Sequence, residues 1–377
     1  MQPVYLDCAA TSPIEPAILD LVTQYLTVGV GNAGSRTHEF GNRAKVACQR
    51  ARDQIAALVA AQRDEVVFTS GATESNNLAI LGLREHGEAT GKKHVITSVT
   101  EHKAVLEPCQ ELERLGFKVT YLAPNRDGIV TAEALAAALR PDTLLVTLMH
   151  VNNETGAIQP LTGYAKVLVS HPAFWHVDAA QGFGKLIDDL RNLRIDLISV
   201  SGHKIHAPQG IGALICRRRG FDKLPLRPLV FGGGQEKGLR PGTLPVHLAV
   251  ALGAAAEFAG KHHAKRLARC AKIRAVALKA LTAVGGMPTI PDEYSIPSTL
   301  SISFPSIDAE ALMVAAKDLI AISNGAACTS QSYKDSHVLA AMGLPEATIH
   351  STVRISWCHM TSDADWSAVA KLIRQLA

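Results

Sequence analysis

"DLISVSGHKIHAPQGIGALIC", residues 196–216, begins as an apolar run, stops on Ser201-Gly202-His203-Lys204 and turns apolar again from Ile211. A run with so little polar alternation suits a strand buried on both faces, the kind found in parallel sheets covered by helices. An amine set between two such runs has no packing role, so Lys204 calls for a chemical explanation.

The same pattern extends outward from this stretch. VVF at 66–68, HVITS at 94–98, KVTYL at 118–122, TLLVTLMHV at 143–151 and WHVDA at 175–179 read as further strands. Between them Ala47, Ala51, Ile55 and Leu58 share a helical face, and 74–86, 102–115 and 132–139 read as helices. Alternating strands and helices predict an α/β fold with a mostly parallel sheet. From about residue 258 the pattern changes to a long helix rich in Ala, Lys and Arg, a connection containing Pro288, Pro291 and Pro297, and the strand STLSISF. The last helix has a capping box, Ser362 to Asp365, ahead of Trp366, Val369, Leu372, Ile373 and Leu376. The expected division is a large domain over 16–258 and a smaller α+β domain made of 1–15 and 259–377.

Composition narrows the class. The formal charge of +4 is too small to argue for direct nucleic-acid binding, and Arg217-Arg218-Arg219 and Lys261 to Arg269 read as solvated faces. The N-terminal MQPVYLDCAATSP has no basic region followed by an apolar core, and no later run reaches the length of a membrane span. A cytoplasmic protein with no membrane partner is expected. The cysteines at 8, 48, 109, 216, 270, 328 and 358 form no CxxC pair and are odd in number, so neither a metal cage nor a disulfide framework is indicated.

Ligands in parallel sheets sit beyond the carboxyl ends of the strands, so the residues there are read together. After VVF, Thr69-Ser70-Gly71-Ala72-Thr73-Glu74 opens a helix with small residues, leaving backbone N–H groups to face an anion. The other strand ends deliver His102, Asn153, Asp178, Gln181 and the Ser201-Gly202-His203-Lys204 turn. An anion cradle, a carboxylate, a histidine and an amine are what pyridoxal 5'-phosphate requires. Its aldehyde takes an amine as a Schiff base, and its pyridine nitrogen needs a carboxylate. Lys204 is then the Schiff-base lysine, Asp178 the partner of the ring nitrogen, and Thr73, Ser201 and His203 phosphate ligands.

The stretches "FTSGATESNNLAI", "TEHKAVLEPC", "MHVNNETG", "HVDAAQ", "SGHKIHAPQGIGAL", "GGGQEKGLRPGTLPVH" and "ISNGAACTSQSYKDSHVL" resemble the cysteine desulfurases of the NifS and IscS type. These are fold-type I pyridoxal-phosphate enzymes, and the resemblance spans essentially the whole chain. It implies a homodimer that takes sulfur from L-cysteine, leaves L-alanine and carries a persulfide destined for a sulfur-acceptor protein. Ala72, Thr73, Ser201 and His203 match the family's phosphate and cofactor contacts, and Thr243 a threonine that reaches the partner subunit's phosphate. Gln181 matches the partner of the phenolic oxygen, and Asn153 a cofactor and substrate contact. His102 matches the histidine stacked on the ring, Arg354 the clamp on the substrate carboxylate, and Cys328 the persulfide carrier on a loop of small residues. Cys48, Cys109, Cys216 and Cys270 read as inert packing thiols.

Four departures from the family pattern stand out. No serine lies two positions before Cys328, Cys8 follows Asp7 in place of a tyrosine or asparagine, and Trp357-Cys358-His359 replaces a Gly-Arg pair, which puts a second thiol near the pocket. The C-terminal extension by which housekeeping members dock iron–sulfur scaffolds is not expected. "GNAGSR", "GGGQE" and "LRPGTLP" resemble instead the DndA-like branch that serves DNA phosphorothioation. The competing readings are a general iron–sulfur sulfur donor, a selenocysteine lyase or aminotransferase of the same fold, and a silent sulfur-relay subunit.

Overall fold

The apolar runs become strands where both faces can be covered. The computed structural model describes residues 2–325 and 335–376. Its strands are β1 (Val4–Tyr5), β2 (Val66–Thr69), β3 (His94–Ser98), β4 (Lys118–Leu122), β5 (Thr143–Thr147), β6 (Phe174–Asp178), β7 (Leu197–Ser201) and β8 (Gly212–Cys216). They continue with β9 (Met287–Pro288), β10 (Thr299–Ser303), β11 (Ile320–Ala321) and β12 (Thr352–Ser356). The central sheet has the order β2-β8-β7-β6-β5-β3-β4. Within it only β8 is antiparallel to its neighbours, so β2, β3, β5, β6 and β7 all end on the same edge. Every residue of β3, β5, β6 and β7 is buried, as cover on both faces requires.

On one face the helix Glu39–Leu58 and the first half of the helix Val246–Thr282 pack on Trp175, Val177, Ile198 and Val200. On the other, Ala72–Leu81 and Lys103–Arg114 cover Val95, Leu145 and Leu197. A further apolar cluster lies on the antiparallel sheet β12-β10-β9 and takes in Cys270, Ile273, Ala277 and Leu281 from the second half of the helix. At 37 residues, that helix is about 55 Å long at a rise of about 1.5 Å per residue. The expected division at 258/259 falls inside it.

The outer edge of β2 is closed by a loop. Phe68 N–H donates to Glu236 Oε2 at 2.8 Å, and Arg52 holds the same carboxylate while reaching the Val66 carbonyl. Glu236 and Lys237 are in the left-handed region, at φ of 50° and 59°. Such a conformation persists in non-glycine residues only where surrounding contacts impose it, and the buried Glu236 carboxylate supplies those contacts.

Several local expectations are corrected. The run 143–151 ends as a strand at Thr147, because past the end of β3 the N–H of Met149 turns to Glu101 Oε1 at 2.6 Å. The segment 74–86 is two helices, Ala72–Leu81 and Arg84–Thr90. The last helix starts at Trp366 with Asp365 accepting from Ala368 N–H at 3.0 Å, so the capping residue is Asp365 and not Ser362. Arg217 is not on a solvated face. It is buried and donates to the carbonyls of Val59, Leu190, Asn192 and Ile195, which converge on its guanidinium.

Candidate active site

The C-terminal edge of the sheet opens into a cavity of about 460 Å³. Ala72, Thr73, His102, Asn153, Asp178, Gln181, Ser201, His203, Lys204 and Arg354 all line it. Thr243 is exposed and lies outside this cavity of its own chain, and Cys328 falls outside the described residues.

Each position follows from local structure. The helix Ala72–Leu81 starts directly after β2, and no side chain caps its N-terminus, so its first N–H groups are available to an anion beside Ser201 and His203. Gly212 makes this approach possible, since a Cβ there would lie 2.4 Å from the Val200 carbonyl oxygen and 2.6 Å from Gly71 Cα. Asp178 ends β6, where its carboxylate accepts from Asn76 Nδ2 at 2.7 Å and Ala180 N–H at 2.9 Å. One strand away Ser201 ends β7, and the single turn Gly202–Lys204 swings the lysine inward. Lys204 Nζ donates to the carbonyls of Ala9 and Ala10, both at 2.6 Å.

The electrostatics favour proton handling by His102. It caps the helix Lys103–Arg114 by accepting the Ala104 N–H at Nδ1, 3.1 Å away, which leaves Nε2 as the nitrogen that carries the proton of the neutral ring. Burial lowers its pKa, against the opposing pull of Asp178. His203, which touches Thr11 Oγ1 at 3.1 Å, is pushed down to about 4 by burial and then by the Lys204 charge. Glu101 is fully buried, and that burial raises its pKa well above the ordinary carboxylate range, with the Asp178 charge adding to it.

Arg354 is a buried residue of β12. Nη2 meets Asp7 Oδ1 at 2.6 Å, Nη1 donates to the Asn153 carbonyl at 2.8 Å, and Nε has no partner among the described residues. Sequence reading missed Asp7, Asn76, Glu101 and the carbonyls of Ala9 and Ala10. Asn76 had a signal, lying one helical turn beyond Ala72 on the same face. The Ala9 and Ala10 contacts had none, because backbone carbonyls carry no side-chain pattern.

A family model described as aminotransferase class-V matches residues 4–369. The cysteine desulfurase IscS of Serratia proteamaculans (strain 568) is 44% identical over 379 residues, covering 99% of this chain and 92% of the relative. Among solved structures, DndA from Streptomyces lividans is 48% identical with a TM-score of 0.83, covering 94% of this chain and 99% of that one. A NifS-like protein superposes with a TM-score of 0.91 at 33% identity over 99% of each chain. Enzymes of this kind work with pyridoxal phosphate. The chain therefore belongs to the class-V aminotransferase family and, within it, to the cysteine desulfurases.

Proposed function

We propose that the chain binds pyridoxal 5'-phosphate in this cavity, takes sulfur from L-cysteine and passes it from Cys328 to an acceptor protein. The observation that carries the reading is the meeting of an uncapped helix N-terminus, the Asp178 carboxylate and the Lys204 amine on one cavity. That donor set suits a molecule with a phosphate, a basic ring nitrogen and a carbonyl. When bound, the cofactor supplies an electrophilic carbon and a ring that accepts electrons.

The chain's residues then divide the work. Ala72, Thr73, Ser201 and His203 would hold the phosphate, Asp178 the ring nitrogen and Gln181 the phenolic oxygen. Asn153 and Arg354 would orient the substrate, with the planar guanidinium suited to a carboxylate. His102, its pKa lowered by burial, could take a proton at Nε2 from the tautomer that carries its hydrogen on Nδ1, which gives up the Ala104 N–H contact, and could return it from there. Lys204 would hold the cofactor's carbonyl through its amine, and as a free amine it could carry the α proton. The Cys328 thiolate attacks the substrate sulfur; an S–S bond forms as the substrate C–S bond breaks, and the carbon left behind takes up a proton to give alanine.

We further propose a cytoplasmic homodimer in which Thr243 reaches the partner subunit's cofactor, and a sulfur acceptor belonging to DNA phosphorothioation. The 48% identity to DndA and the stretches "GNAGSR", "GGGQE" and "LRPGTLP" support the second point. The 44% identity to IscS keeps a general iron–sulfur scaffold as the competing acceptor.

Incubation with L-cysteine and a reductant should yield alanine and sulfide in equal amounts, and Cys328→Ala should bind the cofactor but form no alanine above background. A keto acid as product, or normal turnover by Cys328→Ala, would overturn the reading. Radiolabelled sulfur offered to both acceptors should go first to the phosphorothioation protein.

A further inference from the structure

Lys204 also lines a second, smaller cavity of about 50 Å³ behind the first. Its volume suits an ion with a water or two and excludes a metabolite. His206, Cys358 and His359 meet there, each with one potential ligand atom within 4.8 Å of the others.

The hydrogen bonds around these residues fix which atoms are free to coordinate. His206 Nδ1 contacts the Pro13 carbonyl at 3.0 Å, so that nitrogen carries the proton and Nε2 keeps its lone pair. His359 Nε2 contacts Glu15 Oε2 at 3.1 Å, so Nδ1 keeps the lone pair. The two rings lie edge to face with centroids 4.8 Å apart. A ring N–H given to a carbonyl or a carboxylate is the arrangement that orients metal-binding histidines. Cys358 Sγ accepts from Thr361 Oγ1–H at 3.7 Å, and its pKa is lowered, first by the neighbouring Cys8 thiol. Cys8 is raised in turn, first by that same contact with Cys358. The surrounding charges are Lys185, whose pKa is lowered by burial, and Arg266, which is paired with Glu15 at 2.5 Å.

Two imidazole nitrogens and a thiol sulfur within 4.8 Å of one another in a buried space form a donor set for a cation. We propose that His206 Nε2, His359 Nδ1 and Cys358 Sγ form a binding site for a divalent ion of the zinc class, with Cys8 Sγ as the fourth donor. Nitrogen and sulfur ligands select zinc-like ions over magnesium or calcium. Both sulfurs coordinate as thiolates, so each thiol proton still present is released to solvent as the ion binds. The site links residues 8–15, the turn after Lys204 and the segment after β12. It does not depend on the reaction proposed for the larger cavity.

Cobalt(II) titration of the holoprotein carrying Cys328→Ala tests this, because that background removes the thiol proposed to carry sulfur. One equivalent should produce the intense d–d bands of a tetrahedral ion, at wavelengths beyond the cofactor's absorbance, and zinc should erase them. Cys358→Ala and His359→Gln should each abolish the bands while circular dichroism confirms the fold. Glu15→Gln should weaken cobalt binding by about 10- to 100-fold, and Cys216→Ala should leave it unchanged. Absence of the bands in the Cys328→Ala protein, or their persistence in both Cys358→Ala and His359→Gln, would overturn the proposal.

Discussion

His176 offers a quantitative test of how the sheet holds Asp178. It lies on β6 two residues before Asp178, fully buried, with Nδ1 2.7 Å from Thr147 Oγ1 on β5 and Nε2 2.9 Å from Ser199 Oγ on β7. One ring thus bridges three central strands. Burial lowers its pKa from the ordinary 6.5 to about 3. The sign follows from proton linkage. Between those two values the unfolded chain binds a proton that the folded chain refuses, so stability falls as pH falls through this window and is unaffected above it. At about pH 5, roughly 1.5 pH units below the unfolded value, the loss is about 2 kcal/mol at about 1.36 kcal/mol per unit. His176→Gln keeps a donor and an acceptor but cannot titrate. Its lost contacts should cost about 1–3 kcal/mol at neutral pH. The gap between variant and parent should then narrow by about 2 kcal/mol between pH 7.5 and 5. Urea unfolding at both pH values and one protein concentration measures it. The other buried histidines contribute equally to both proteins, so the difference isolates His176. Parallel pH profiles would refute the reasoning.

Two further substitutions probe the cavity. Gly212→Ala places a Cβ against the backbone of Val200 and Gly71; it should destabilise the protein by about 1–3 kcal/mol and weaken cofactor retention, because Gly71 precedes the helix that carries Ala72 and Thr73. Melting temperature and pyridoxal-phosphate titration check this, and unchanged values in both would count against the close approach. Arg354→Lys keeps the charge but loses the fork that spans Asp7 and Asn153, so kcat/KM for L-cysteine should fall at least about tenfold, or about 1.4 kcal/mol, and steady-state kinetics at parental rates would argue against a substrate role.

The parallel sheet was legible because strands such as HVITS and DLISVS are apolar along their whole length, a pattern that two-sided burial imposes. The ten cavity residues found by sequence were legible because they follow strand ends or lie in long motifs. Local accidents of pairing were not. The stop at Thr147 depends on Glu101, a residue 48 positions from Met149. The burial of Arg217 depends on four carbonyls brought together by tertiary structure, whereas three successive arginines suggest solvent. The ion pair that holds Arg354 was not legible, because TVRIS is a short strand without alternation and the counter-ion Asp7 lies at the far end of the chain. The cluster of His206, Cys358 and His359 joins residues some 150 positions apart, so no spacing rule could have found it.

The helix Val246–Thr282 has a consequence for how the protein comes apart. Residues Val246 to Ala259 are part of the core of the central sheet, and Cys270 to Leu281 part of the core of the β12-β10-β9 sheet. Melting either core removes half the tertiary support from one uninterrupted helix, and a helix in water draws most of its stability from such packing. The two cores therefore share a cooperative unit, and heat should bring down both in a single transition. The cavity between Asp178 and Arg354 takes residues from both sheets, so it has no partly folded state in which to survive.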